Sequence, residues 1–330
     1  MSQLQVAVIG AGHLGSIHAR LLAERTDIQL VGVVDPSETQ RTTLSQQLQI
    51  PTVAQLYQLP SRIDAAIIAA PTALHHQVAV SLLESGVHLF IEKPITNSIA
   101  DAVHLVVLAR EHGRTLQVGH VEQFNPAWVA AKDLIRQPTY MEARRTSEFP
   151  FRSADVSVVH DLMIHDIELA LSAANCDVQK VDACGQVVVT NEIDMASARL
   201  WFANGCVCDV TASRVSRLPE RTFDIWQHEQ SIHVDLGNRS ASIVQQQGYF
   251  HPGDARSELF RAESLPIVAS NAIADEHTDF FDAIRTHRSP QVTGERALQA
   301  LQIADEIVTQ IRRQRLFVRP ASWPTTKTAA

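Results

Sequence analysis

The sequence predicts an α/β fold. A doubly wound parallel sheet fills the N-terminal half, and an α+β half built on an open, mostly antiparallel sheet follows. Three observations carry this. Apolar runs alternate with amphipathic stretches through residues 1–120. The stretch Gly10-Ala11-Gly12-His13-Leu14-Gly15 falls between the first apolar run and the first amphipathic stretch. Further on, Ala203-Asn204-Gly205 separates two strand-like runs, and an Asn-Gly step is a strong hairpin signal.

The elements follow in order. Residues 4–9 are an apolar run, as expected for a strand covered on both faces. Residues 16–25 read as a helix with Ile17, Leu21 and Leu22 on one face. A second buried strand, 28–34, ends at Asp35, and 37–48 is polar but helical. A third strand at 63–70 precedes a helix at 74–85, stopped by Gly86. A fourth strand covers 87–91. The helix at 97–112 has Asn97 or Ser98 to cap it and Gly113 beyond its end, and 116–119 is a short strand. This rhythm requires right-handed crossovers.

The rhythm changes after about residue 120. Pro126 opens a helix over 126–135. Residues 141–153 are rich in arginine and aromatics and receive no element, while 159–173 is strongly helical. Strand-like runs fill 179–244, including 196–202 and 206–212 around the hairpin, then 223–230 and 231–236. Helices return at 276–286 and 294–313, and 320–330 reads as an extended arm or frayed end. The expected division is 1–122 and 123–330, with the final helix packing back on the first part.

Composition narrows the classes of function. With 330 residues and 45% hydrophobic content, the chain can bury two cores. Its net charge of -8, with no basic block, argues against nucleic acid as a partner. No apolar run approaches the roughly 18 residues needed to span a bilayer. The N-terminus lacks a basic region followed by an apolar one, so no signal peptide is expected. Cys176, Cys184, Cys206 and Cys208 form no C-x-x-C spacing, and the last two read as apolar fillers of one strand face. A cytoplasmic protein with reduced thiols is expected.

Gly10, Gly12 and Gly15 have the Rossmann dinucleotide spacing. They serve the tight turn, the close approach to a pyrophosphate and the packing of helix on strand. His13 and Leu14 sit at the helix N-terminus, where backbone N–H groups meet that pyrophosphate. Asp35 follows about twenty residues on, where a carboxylate binds ribose hydroxyls and repels a 2′-phosphate. NAD is therefore expected over NADP, and Arg41 is expected to face solvent. Ala70, Pro71, Thr72 and His75 lie at the carboxyl edge of the third strand, where cofactors bind; His75 and His76 also read as a polar helix start.

Glu92 and Lys93 end the fourth strand beside that pocket. An ammonium there can favour an alkoxide, and Pro94 permits a cis bond. Asp161 and His165, four apart, project from one helical face, so His165 can take a hydroxyl proton while Asp161 orients it. Each has a plainer alternative, a surface lysine and a satisfied histidine on an amphipathic helix. His160, five residues from His165, points away from it, so no metal site is expected. Asp166 and Glu168 read as helix-solvating carboxylates. Arg144, Arg145 and Arg152 read equally as diphosphate ligands or as a solvated face.

The glycine loop, Asp35, Glu92-Lys93-Pro94 and Asp161-x-x-x-His165 together resemble the Gfo/Idh/MocA family of oxidoreductases. The resemblance spans nearly the whole chain. It implies that Lys93, Asp161 and His165 are catalytic, and that the open sheet supports a homodimer or homotetramer. Two stretches, Val118-Gly119-His120-Val121-Glu122-Gln123-Phe124-Asn125-Pro126 and His160–Ile167, are similar to a subgroup that oxidises the C3 hydroxyl of UDP-linked N-acetylglucosamine. That similarity implies substrate contacts from Gln123, Phe124, Asn125, Arg152 and His165. The subgroup usually has arginine where this chain has Gln123. Alternatives within the fold are a dehydrogenase of inositol or a free monosaccharide, a reductase of an imine, enone or linear tetrapyrrole, and a non-catalytic NAD sensor.

Overall fold

The computed structural model describes residues 3–315 except 61, 152–153, 250, 253–254 and 256–258. Arg152 and the 320–330 tail lie outside the described residues. The first sheet contains β1 (Leu4–Ile9), β2 (Ile28–Val34), β3 (Thr52–Val53), β4 (Ala65–Ile68), β5 (His88–Glu92) and β6 (Leu116–Gly119). All are parallel, in the order β3-β2-β1-β4-β5-β6. Helices α1 (His13–Ala23), α2 (Glu38–Leu48), α3 (Thr72–Glu84) and α4 (Ile99–Glu111) alternate with the strands. Val6, Val8 and Phe90 point to one face and Ala7, Ile68 and Ile91 to the other, and both faces are sealed. Order reverses between β1 and β4, so the crevice outside their carboxyl ends is where a ligand fits.

The second sheet runs β14-β13-β12-β11-β7-β10-β9-β8. Its strands are β7 (Pro138–Thr146), β8 (Val178–Gln186), β9 (Met195–Phe202), β10 (Val207–Ser213), β11 (Glu220–Gln227), β12 (Gln230–Asp235), β13 (Ser240–Gln246) and β14 (Phe260–Ser264). Every pairing is antiparallel except β7 with β10. The β9–β10 hairpin turns where expected, with Gly205 at φ +87°. One face is buried: Ala196, Ala198, Leu200 and Phe202 point inward along β9, into the same core as residues of α5 (Pro126–Lys132) and α6 (Ile164–Ala174). The four cysteines are free thiols, and Cys206 and Cys208 are buried in the inner face.

Two differences from the sequence reading matter. Residues 141–153 had no element, yet β7 occupies the centre of the sheet. Its inward positions are Met141, Ala143 and Arg145, and a buried arginine hides the alternation that marks a strand. The helix expected over 159–173 also begins irregularly. Residues Val159–Met163 form a π turn, with the Ile164 N–H reaching the Val159 carbonyl, and α6 starts only at Ile164.

The last two helices return to the first sheet. Phe280 and Phe281 of α7 (Ala272–Thr286) pack with Val6, Val8 and Phe90. The long α8 (Gly294–Arg315) serves both cores. Ala297 and Leu301 join the first, beside Leu105 and Leu116, and Ile303, Ile307 and Ile311 join the second.

Candidate active site

The glycine loop leaves room for a ligand. Gly10, at φ +104°, lies so close to Ala69 that a Cβ there would come within 2.7 Å of its carbonyl oxygen. A Cβ on Gly15 would meet the Gly10 carbonyl at 2.0 Å, so both positions require glycine. At Gly12 a Cβ would touch nothing within 4 Å, and no side chain caps the helix that starts there. Gly12, His13 and Leu14 are exposed at this open helix start. A pyrophosphate fits such an N-terminus.

Asp35 closes the loop from the end of β2. Its Oδ2 accepts from Ala11 N–H at 2.7 Å and its Oδ1 from Ser37 N–H at 2.8 Å. Arg41 is half-buried rather than free in solvent. Its Nη1 donates to the carbonyls of Asp35 and Pro36, at 2.8 and 2.9 Å. Ala70, Pro71 and Thr72 border the crevice between β4 and α3, whereas His75 is buried. The His75 ring spans from the Ala70 carbonyl (2.9 Å) to that of Pro94 (3.1 Å) and ties two strand ends together. Glu92 turns inward too. Its Oε1 lies 2.8 Å from His18 Nε2, and His18 Nδ1 lies 2.7 Å from His277 Nε2 on α7.

Lys93 leaves the end of β5, followed by a cis bond to Pro94. Its Nζ donates to the Asp161 carbonyl at 2.7 Å and to Asp161 Oδ1 at 3.2 Å. Asp161 therefore partners Lys93, and no hydrogen bond joins it to His165. The π turn presents that carbonyl to the lysine; such turns concentrate at functional sites.

His165, on the first turn of α6, buries Nδ1 without a partner among the described residues. Burial pushes its pKa well below the ordinary value, and the Lys93 charge pushes the same way. Lys93 is thus near enough for its charge to be felt at the ring. His120, at the end of β6, packs edge-on against His165 with ring centroids 6.0 Å apart. Burial and then Lys93 lower His120 to about 3. Both imidazoles are neutral at pH 7. The sequence reading missed His120. Its signal was its place, the residue after a strand end that lies beside the strand end carrying Lys93.

Three expected substrate contacts turn inward in the structure. Gln123, Phe124 and Asn125 are all buried. The Gln123 Oε1 accepts from Trp128 Nε1 at 3.1 Å and from Gln291 Nε2 at 3.1 Å, while its Nε2 donates to Glu168 Oε2 at 2.7 Å. Phe124 belongs to the first core. Asn125 caps α5 through the Ala127 N–H and donates to Glu122 and the Leu236 carbonyl. These polar side chains face inward because each finds a partner there.

Asp166 and Glu168 do not solvate the helix; both are buried. Arg145 is no diphosphate ligand. It makes two bonds to Asp166, at 2.9 and 2.8 Å, and one to Glu122 at 2.7 Å. Burial would raise Glu122, but the Arg145 charge overrides it and holds the carboxyl low; at Asp166 burial wins and the pKa is raised. Arg144 is on the outer face, 3.2 Å from Glu220.

Glu168 has no cation within bonding reach; its donor is the neutral Gln123, and its Oε1 has no partner among the described residues. Burial raises it to about 7. A raised carboxyl stabilises the fold at acidic pH, and that contribution is lost as pH climbs from the ordinary carboxyl range through about 7. Glu168→Gln should therefore melt closer to the parent at pH 5 and clearly above it at pH 8. Melting curves at both values test this, and a gap that does not widen with pH would refute it.

The pattern of the oxidoreductase family, NAD-binding Rossmann fold (GFO_IDH_MocA), matches residues 4–120. The GFO/IDH/MocA C-terminal domain matches residues 135–234. The chain is 34% identical over 304 residues to a UDP-N-acetylglucosamine 3-dehydrogenase of Acidithiobacillus ferrooxidans, covering 91% of this chain and 96% of that one. A solved structure of UDP-N-acetylglucosamine 3-dehydrogenase from that organism superposes with a TM-score of 0.87 at 32% identity, over 95% of this chain and 99% of the other. The scyllo-inositol 2-dehydrogenase (NAD(+)) of Bacillus subtilis is 28% identical over 65% of this chain and 68% of its own length.

Proposed function

The chain belongs to the Gfo/Idh/MocA family of NAD-binding oxidoreductases, and from that premise we propose that it oxidises the C3 hydroxyl of a UDP-linked N-acetylhexosamine with NAD. It is an enzyme acting on CH–OH groups. The observation that carries the proposal is the contact of Lys93 with Asp161, on the π turn that leads into His165, with the His165 ring packed on His120 at the strand end beside that of Lys93.

Bound NAD supplies the hydride acceptor. Lys93 Nζ, held by Asp161, offers a positive charge to the carbinol oxygen and favours its deprotonation. His165 is the proton acceptor. It is neutral and open at Nε2, so it can take the hydroxyl proton as the carbon is oxidised. Asp35 would hold both ribose hydroxyls, and Arg41, tied to main-chain carbonyls, offers little to a 2′-phosphate. This supports NAD over NADP. The subunits are proposed to associate through the outer face of the second sheet, in the cytoplasm.

Incubation with UDP-N-acetylglucosamine and NAD, read at the NADH absorbance, tests the reading. Turnover is expected, with NADP several-fold poorer. Inactivity there with turnover of free inositol would favour the second reading, which rests on the inositol dehydrogenase relative. The acid limb of kcat/KM is expected well below pH 6.5, because His165 must lose its proton to act and holds it weakly. An acid limb at or above pH 6.5 would remove His165 from the base role.

A further inference from the structure

His120 is unused by the mechanism above, yet it stands at the centre of the site. In the parallel pair β5–β6, Glu92 lies opposite Gly119. Lys93 and His120 are the next residues on each strand, so they leave the sheet side by side at its carboxyl edge. Neighbouring strands are about 4.8 Å apart, a span that two side chains can close onto adjacent oxygens of one sugar ring. His165 closes the group from the second sheet's side, its ring edge-on to His120 at 6.0 Å between centroids.

The His120 ring is almost wholly enclosed, at 1% exposure. Its Nδ1 is sealed without a partner, whereas its Nε2 has no protein partner among the described residues and is not sealed. An imidazole that makes no side-chain hydrogen bond to protein among the described residues, and whose second nitrogen is not sealed, has the form of a ligand contact when it stands beside Lys93. We propose that His120 Nε2 hydrogen-bonds the ring substituent next to the oxidised carbinol, so that Lys93 and His120 together read two neighbouring polar groups of the sugar. This deepens the sugar dehydrogenase reading and rests on it. It assigns His120 to substrate recognition, with no proton transfer of its own. Being neutral, His120 can accept from a hydroxyl or donate to a carbonyl without competing for the proton that His165 receives.

Two variants separate this from a packing role. His120→Phe keeps a ring against His165 and removes the nitrogens; His120→Gln keeps a polar group of similar reach. With UDP-N-acetylglucosamine, His120→Phe should raise KM about tenfold, the cost of one neutral hydrogen bond. His120→Gln should recover part of that, and the NAD dissociation constant and melting temperature should stay near the parent values in both. Parent-like KM in His120→Phe overturns the proposal. So does an equal loss in both variants accompanied by weaker NAD binding or lower melting, which would mark a structural histidine. Failure of the sugar reading shows separately, as absent turnover in the parent enzyme. Contact is then read without turnover, from the imidazole nitrogen shifts of His120 in NAD-saturated protein as UDP-N-acetylglucosamine is added. Unmoved shifts overturn the contact.

Discussion

Replacing Lys93 with methionine is expected to lower kcat by roughly 10²–10⁴-fold, the range of an electrostatic or proton-transfer group lost from a reaction site. Methionine keeps the unbranched chain and removes the charge. The ammonium lies 2.7 Å from the Asp161 carbonyl, so the variant loses both the charge proposed to act on the carbinol oxygen and the strut to the π turn. NAD binding should change little, because the glycine loop and Asp35 form their side of the site without Lys93. Arginine at the same position should not rescue, since a planar fork cannot replace a point charge in that space. Single-turnover kinetics with NAD affinity measured in parallel tests this. A methionine variant within about fivefold of the parent kcat would mean that charge at this position contributes about 1 kcal/mol or less.

The second large effect concerns stability. Arg145→Met should cost roughly 3–5 kcal/mol, the usual result of stranding buried carboxylates by removing their cation. Arg145 is the only cation bonded to Glu122 and Asp166 among the described residues, and all three are buried. The loss should deepen as pH rises, because the two acids then ionise without compensation. Urea unfolding at pH 6 and pH 8 measures it. A change under about 1 kcal/mol at both would show that the triad relaxes or admits water. Activity in the surviving folded fraction should also fall, since Asp166 adjoins His165 and the triad fixes the first turn of α6 against β7.

Much of the first sheet was legible in the sequence. Strands covered on both faces are written as apolar runs, and the glycine spacing placed the loop between β1 and α1. Lys93 and Asp161 were found because each belongs to a short motif, and the structure brings them together. The second sheet was harder. β7 escaped because its arginines hid the alternation; one of them, Arg145, points into the core. The same blindness affected Gln123, Asn125, Asp166 and Glu168. Their polarity suggested solvent or substrate, whereas each is committed inside the protein. Sequence reveals a side chain's chemistry, but its facing depends on partners that fold in from far along the chain. Glu122, for example, meets Arg145 and Asp166 only once three separate elements have docked.

The span of α8 across both cores has a consequence for biogenesis. The strand ends carrying Lys93 and His120 are synthesised early, but the apolar side of the crossing helix emerges much later and completes both interiors. A nascent chain stalled before residue 294 should therefore be digested readily by protease in both halves, and release of the finished polypeptide should protect them together. Protection of the first half in the stalled chain would show instead that the nucleotide-holding half matures alone.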